Sequence, residues 1–247
     1  MRQFSVDGIK MKQKKLNSTK TLITGIAVLI GLLVIVMASA HLLFVYSDHS
    51  TAAFKKTFII SRVLFWVVTL LMYLYAVKIE KQPLLVYVSE RKTIWFYVLS
   101  VWLLPVAAFI AAIIAGILVK LTGLYNGISD RYSLLVKTFY HNQWLFIFSI
   151  ITAGVIEEIL FRGYLLTRLQ MLFKNDYMPV IISSVLFGLV HIGYGTVQNV
   201  VGPMCIGVVF ALYYIRYKRI VPLIISHAVY DFLIMTITFH MHVYSGK

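Results

Sequence analysis

Long apolar runs separated by short basic or polar breaks organise this chain. A helix needs about 20 apolar residues to cross the hydrocarbon core of a bilayer. Runs of that order occupy 21–46, 57–77, 94–119, 144–161, 178–195, 200–214 and 221–244. The pattern predicts an all-α fold, a polytopic transmembrane helix bundle of about seven spans. The sixth run is short and the fourth has soft ends, so the range is six to eight. Four regions follow: a basic segment at 1–20, a three-span front at 21–119, an outer loop at 120–143 and a four-span core at 144–244. The loop carries Tyr125, Leu134, Leu135, Val136 and Phe139, a composition suited to the membrane interface rather than open water.

Composition points the same way. Hydrophobic residues make up 60% of the 247 positions and charged residues 13%, with a mean hydropathy of +0.86. A soluble domain carries about 25% charged residues. Too few polar side chains exist here to cover a globule in water, so the surface must face lipid.

The net charge of +14 raises the question of a nucleic-acid partner. The basic residues do not gather into one surface. Arg2, Lys10, Lys12, Lys14, Lys15 and Lys20 precede the first run. Lys78, Lys81, Arg91 and Lys92, then Arg162, Arg168 and Lys174, then Arg216, Lys218 and Arg219 fall at every second connection. The intervening segments hold Lys55, Lys56, Lys120, Arg131, Lys137 and Lys247. This is the positive-inside distribution, and it predicts a multi-pass protein with a cytoplasmic N-terminus and an outer C-terminus. A nucleic-acid patch would instead combine clustered charge with aromatics on one face, so no nucleic-acid partner is expected. The basic N-terminus suits anionic lipid headgroups.

Two features carry less. The basic start, the apolar stretch and Ala38-Ser39-Ala40 resemble a cleavable signal peptide. The run continues through Leu42, Leu43, Phe44 and Val45, which favours a retained anchor. Cys205 is the lone cysteine and lies in an apolar run, so it reads as a packing residue.

The chemistry concentrates in the last hundred residues. Glu157-Glu158-Ile159-Leu160-Phe161-Arg162, Phe187-Gly188-Leu189-Val190-His191 and His227-Ala228-Val229-Tyr230-Asp231 sit on three apolar helices. An ionisable group at the centre of a membrane helix costs about 3 kcal/mol on insertion scales, and such groups normally face a bundle interior and pair. Glu158 and Arg162 stand at i, i+4 and share a face. Glu157 is rotated from Glu158 by about 100° and points elsewhere, which makes it the candidate base. His227 and Asp231 also share a face. Glu157, His191 and His227 could hold a divalent metal with a water in the open position. Equally, Glu157 could activate water while the histidines bind the developing oxyanion. The residues alone leave both open. Arg62, five residues inside its run, reads as a snorkelling side chain. His41, His49 and His141 lie near interfaces, and exposure accounts for His240 and His242.

The ordered trio Glu157-Glu158-x-x-x-Arg162, Phe187-x-x-x-His191 and His227-x-x-x-Asp231 resembles the CPBP family of intramembrane proteases, over roughly residues 145–240. That family includes type II CaaX prenyl endopeptidases and bacterial Abi proteins. The resemblance implies an endopeptidase in which Glu157 activates the attacking water and His191 completes the site. It makes His227 and Asp231 the second pair, as metal ligands or oxyanion stabilisers, and Glu158 with Arg162 the supporting ion pair. It further implies a metalloenzyme, with Zn as the expected cofactor held by Glu157, His191 and His227. The expected partners are a membrane protein or peptide substrate and the lipid bilayer. The short chain looks more like the bacterial branch, in the cell membrane, acting in bacteriocin or signalling-peptide processing or self-immunity, with the site approached from the cytoplasmic half.

The alternatives are a small membrane transporter and a non-catalytic membrane regulator. Transporters often show inverted repeats and paired Gly/Pro breaks. No internal repeat is visible, and Pro83, Pro105, Pro179, Pro203 and Pro222 form no symmetric set.

Overall fold

The structure, a computed structural model, describes residues 19–47, 50–85, 92–125 and 127–244. Arg2, Lys10, Lys12, Lys14, Lys15, His49, Arg91 and Lys247 lie outside the described residues, as does the side chain of His242. The described residues form eight helices and no strand: α1 (Thr19–Val45), α2 (Thr51–Glu80), α3 (Ile94–Leu121), α4 (Asp130–Tyr140), α5 (Gln143–Leu172), α6 (Tyr177–Leu189), α7 (Gln198–Tyr217) and α8 (Ile220–Tyr244). A 3₁₀ turn at Ile192–Tyr194 extends α6. Seven are long and apolar enough to cross a membrane, all but α4. Large apolar side chains such as Ile35, Val63, Leu70, Trp102, Ile113 and Ile181 stay exposed on the outside of the bundle. The protein is a multi-pass membrane protein, and these side chains face the acyl chains.

Hydroxyl side chains start several helices. Ser50 Oγ accepts from Ala53 N at 3.1 Å, Thr93 Oγ1 from Phe96 N at 3.3 Å and Ser129 Oγ from Tyr132 N at 3.1 Å. Each satisfies a backbone donor that the first helical turn leaves free. The segment expected as a loop contains α4. Its sequence is amphipathic, and Leu135, Val136 and Phe139 pack against Phe54 and Phe58 of α2 and Phe146 of α5.

The expected end of the fourth span at Phe161 is superseded. The helix runs on to Leu172, and Ile159–Leu166 is wound as a π-helix. Such widened turns re-aim side chains and are frequent at functional sites. Here the transition begins directly after Glu157 and Glu158.

Small residues let the helices that carry the motifs approach one another. A Cβ on Gly154 of α5 would stand 2.9 Å from the Ile224 carbonyl oxygen of α8. One on Gly188 of α6 would stand 2.7 Å from the Val200 carbonyl oxygen of α7. Close backbone approach through small residues is how membrane helices gain packing contacts. α1 joins the same core, placing Leu29, Leu33 and Val36 with Val68 and Met72 of α2 and Ile156 and Leu160 of α5.

A second polar cluster locks the front spans to α5. Glu80, fully buried at the end of α2, accepts from Arg168 Nε at 3.0 Å and Nη2 at 2.9 Å. Its other oxygen accepts from Tyr164 Oη at 2.7 Å. Arg168 also donates to the Pro83 carbonyl at 3.0 Å and to Thr167 Oγ1 at 3.1 Å. Two Arg168 nitrogens thus share one carboxylate oxygen while Tyr164 takes the other, so both oxygens of the buried acid are hydrogen-bonded, as a buried ion pair requires.

Candidate active site

Four helices converge on Glu157. Arg62 of α2 places Nη1 3.8 Å from Glu157 Oε1. On the other oxygen, Oε2 lies 3.9 Å from His191 Nε2, at the end of α6, and 3.8 Å from His227 Nε2 of α8. Asp231, one turn beyond His227, holds Oδ2 3.7 Å from the same Nε2. Every one of these separations is too long for a direct hydrogen bond. Glu157 Oε2 is accordingly buried without a hydrogen-bond partner.

A tighter layer lies behind. Glu158 Oε1 accepts from Arg162 Nη1 at 2.9 Å and from His227 Nδ1 at 2.8 Å. Arg162 reaches the Gly207 carbonyl at 3.3 Å, and its guanidinium lies 4.4 Å from the centre of the Phe187 ring. His191 donates from Nδ1 to the Phe187 carbonyl at 2.7 Å. Both imidazoles therefore spend Nδ1–H on the layer behind and present Nε2 to Glu157. Phe187 has two tasks in its motif: its carbonyl orients His191, and its ring lies under Arg162.

The adjacent glutamates have separated as helical phase predicts. Glu158 is fully buried in charge-assisted hydrogen bonds, whereas Glu157 faces open space. All six sequence-derived site residues come together: Glu157, His191, His227, Asp231, Glu158 and Arg162. One feature was missed inside this group, since Glu158 serves His227 as well as Arg162. Arg62 was misread. It does not snorkel to an interface but turns inward, 11% exposed, between the Phe58 ring at 4.8 Å and the Phe65 ring at 5.6 Å. The signal was present in a lone guanidinium within an apolar run. Tyr194, which also borders the site, carried no such signal.

Two cavities of about 510 Å³ each meet here. The first lies among α3, α4, α5, α7 and α8 and is walled by Phe109, Tyr132, Ile150, Ile206 and Met235. The second lies among α1, α2 and α6 and is walled by Met37, Phe54, Phe65, Leu160 and Ile192. Phe58, Arg62, Glu157, His191 and Tyr194 line both. The cavities reach the α3–α4 connection, α4 and the start of the α6–α7 connection, at the end of the bundle opposite Lys78, Lys81, Lys174, Arg216 and Lys218. The expectation of an approach from the basic side differs from this placement: the cavity linings reach the connections with fewer basic residues. On α4, burial pushes the Tyr132 hydroxyl above its usual range, opposed by a hydrogen bond to Thr238 and reinforced by the Asp231 charge.

The donor types suit zinc, with two imidazole nitrogens oriented from behind and a carboxylate oxygen that has no other partner. Tetrahedral ligands at 2.0–2.1 Å stand about 3.3 Å apart, so each imidazole Nε2 would have to close on Glu157 Oε2 by about half an ångström. As placed, no group of three or more His, Cys, Asp or Glu among the described residues could hold an ion.

Residues 140–233 match the family model described as type II CAAX prenyl endopeptidase Rce1-like. Neither the curated proteins nor the solved structures gave a match. The match runs from the end of α4 into α8 and contains all three motifs. It bears out, over that stretch, the family resemblance read from them.

Proposed function

We propose, from the match of residues 140–233 to the Rce1-like family model, that this protein is an intramembrane endopeptidase that hydrolyses a peptide bond of a membrane-associated protein or peptide with water activated by Glu157. The observation that carries the reading is the unpartnered Glu157 Oε2, facing two imidazole Nε2 atoms at a cavity wall.

A water seated among these atoms donates one proton toward Oε2 and the other toward an Nε2. Its lone pair then faces the cavity. Glu157 takes the proton as the water oxygen bonds to the scissile carbonyl carbon. It returns that proton to the leaving nitrogen as the C–N bond breaks, giving a carboxylic acid and an amine. Glu158 and Phe187 hold the imidazoles in the tautomer that points Nε2 inward. Asp231 borders the His227 side of the site. A divalent ion such as zinc, when bound, would be held by Glu157, His191 and His227 and would supply Lewis acidity.

The apolar walls on both sides suit a substrate with apolar residues flanking the cleaved bond. Bacteriocin or signalling-peptide maturation, or self-immunity, in a bacterial cell membrane is the setting the Abi resemblance supports. With the N-terminus cytoplasmic, as the charge bias favours, the cavity mouths lie in the outer half. Labelling of Lys120→Cys by an impermeant thiol reagent, in a Cys205→Ser background, tests that orientation, and protection from the outside rejects it.

The central test is hydrolysis of a pool of apolar fluorogenic peptides in detergent micelles by the purified protein. Wild type is expected to cleave and Glu157→Gln and His191→Ala to lose cleavage. Full retention in either variant would sink the mechanism.

A further inference from the structure

Arg62 lies on α2, outside the family-matched stretch, yet it reaches the centre of the site. Its guanidinium lies within an apolar span, where a cation is costly unless it has a task or a partner. The partner it has is loose. Glu157 is 3.8 Å away, and Arg62 Nε is buried without a hydrogen-bond partner. Two aromatic faces fix its position. This contrasts with Arg162 and Arg168, whose carboxylate contacts are at 2.9 Å.

The chemistry around it makes that loose contact informative. Glu157 and Asp231 offer oxygen lone pairs. His191 and His227, with Nδ1–H already donated, offer a nitrogen lone pair at Nε2 when neutral. Such a wall suits the protons of a water, and a scissile carbonyl oxygen beside it needs donors as well. The reaction puts negative charge on that oxygen, and a buried site must supply donors for it. A guanidinium brings N–H donors and positive charge at any physiological pH. It also lies where the two cavities share a wall. A peptide crossing between the cavities passes between Arg62 and the histidines, with Glu157 beside it.

We propose that Arg62 is a catalytic residue of this site, donating hydrogen bonds to the scissile carbonyl oxygen of a peptide that spans both cavities. The role rests on the endopeptidase reading above. It assigns the water to Glu157 Oε2 and the carbonyl oxygen to the guanidinium on the Oε1 side of the same carboxylate. It also gives the front spans a part in the chemistry.

The test is the rate of hydrolysis of the fluorogenic apolar peptide pool by wild type, Glu157→Gln, Arg62→Met and Arg62→Lys, with thermal unfolding measured for each. Removal of an oxyanion donor lowers kcat by about 10²–10³-fold, so Arg62→Met is expected to fall in that range with KM within about threefold. Arg62→Lys keeps the charge without the planar fork and is expected to recover part of the rate while staying at least about tenfold below wild type. Should Arg62→Met fail to fold, the Lys variant decides by the same split. A kcat within threefold of wild type in a folded variant overturns the role, as does a loss confined to KM. No cleavage by wild type removes the endopeptidase reading itself. Cleavage abolished by Glu157→Gln but kept in both Arg62 variants removes only the role of Arg62.

Discussion

Neighbouring glutamates on one helix are expected to fail in opposite ways. Glu158 is fully buried, and one of its oxygens holds both the Arg162 guanidinium at 2.9 Å and the His227 imidazole at 2.8 Å. Glu158→Gln keeps the shape and one oxygen for both donors, but it removes the negative charge that pairs with Arg162. Breaking a buried ion pair by removing one partner costs about 3–5 kcal/mol, because the other charge stays buried. Arg162, only 1% exposed, has little beyond the Gly207 carbonyl and two ring faces to fall back on. Glu157 has no contact closer than 3.8 Å, so Glu157→Gln loses no hydrogen bond and relieves a carboxylate of incomplete solvation. Its stability should stay within about 1 kcal/mol of wild type. Unfolding in mixed micelles, followed by circular dichroism against denaturing-detergent fraction, gives both values, and peptide hydrolysis gives activity. Glu157→Gln is expected to be inactive and folded, Glu158→Gln destabilised. Equal stability of the two variants, or greater loss for Glu157→Gln, would refute the division of labour.

Three further outcomes follow from the packing. Arg168→Met strands the fully buried Glu80 and should lose about 3–5 kcal/mol; Glu80→Leu combined with Arg168→Met should recover most of it in the same unfolding assay. Gly154→Ala sets a Cβ against the α8 backbone and should cost about 1–3 kcal/mol and lower activity, whereas Gly31→Ala, with open space around it, should cost nothing measurable. Lys218, between α7 and α8, has its pKa lowered to about 8 by burial, opposed by the Asp176 charge. The native chain sheds this proton near pH 8 while the unfolded chain keeps it to about 10.5. The unfolded state then binds more protons, so stability should rise from pH 8 toward 10.5. Lys218→Asn, which also tolerates the left-handed backbone at φ 51°, should flatten that rise in denaturation curves taken across the window.

The seven spans were legible because lipid imposes one requirement on every outward side chain, and run length registers it directly. α4 was not, since its eleven residues mix polar and apolar and carry their signal in helical phase rather than in length. The site was legible for a related reason. Within one helix, spacing fixes the face, so the i, i+4 relations of Glu158 with Arg162 and of His227 with Asp231 could be read before any contact was known. Contacts between helices follow no such rule. That Glu158 also receives the His227 proton depends on the close crossing at Gly154, which a sequence shows only as one small residue among many.

Arg62 shows what depth within an apolar run leaves open. A charge near the end of an apolar run was assigned to an interface by depth alone, although a guanidinium among lipid tails has two ways to be satisfied. It can reach outward to water or inward to a carboxylate, and depth does not distinguish them. The distinguishing quantity is the charge balance of the interior. The core helices bring Glu157, Glu158 and Asp231 together against Arg162. That leaves an excess of carboxylates in a medium that penalises unpaired charge. A cation from elsewhere in the bundle offsets part of that excess, and Arg62 of α2 supplies it. The same counting explains why the front spans are joined to the core at two levels, by Arg62 beside Glu157 and by Glu80 under Arg168. The three motifs contain the carboxylate and imidazole side of the site. The electrostatic complement comes from helices that the motifs do not mark.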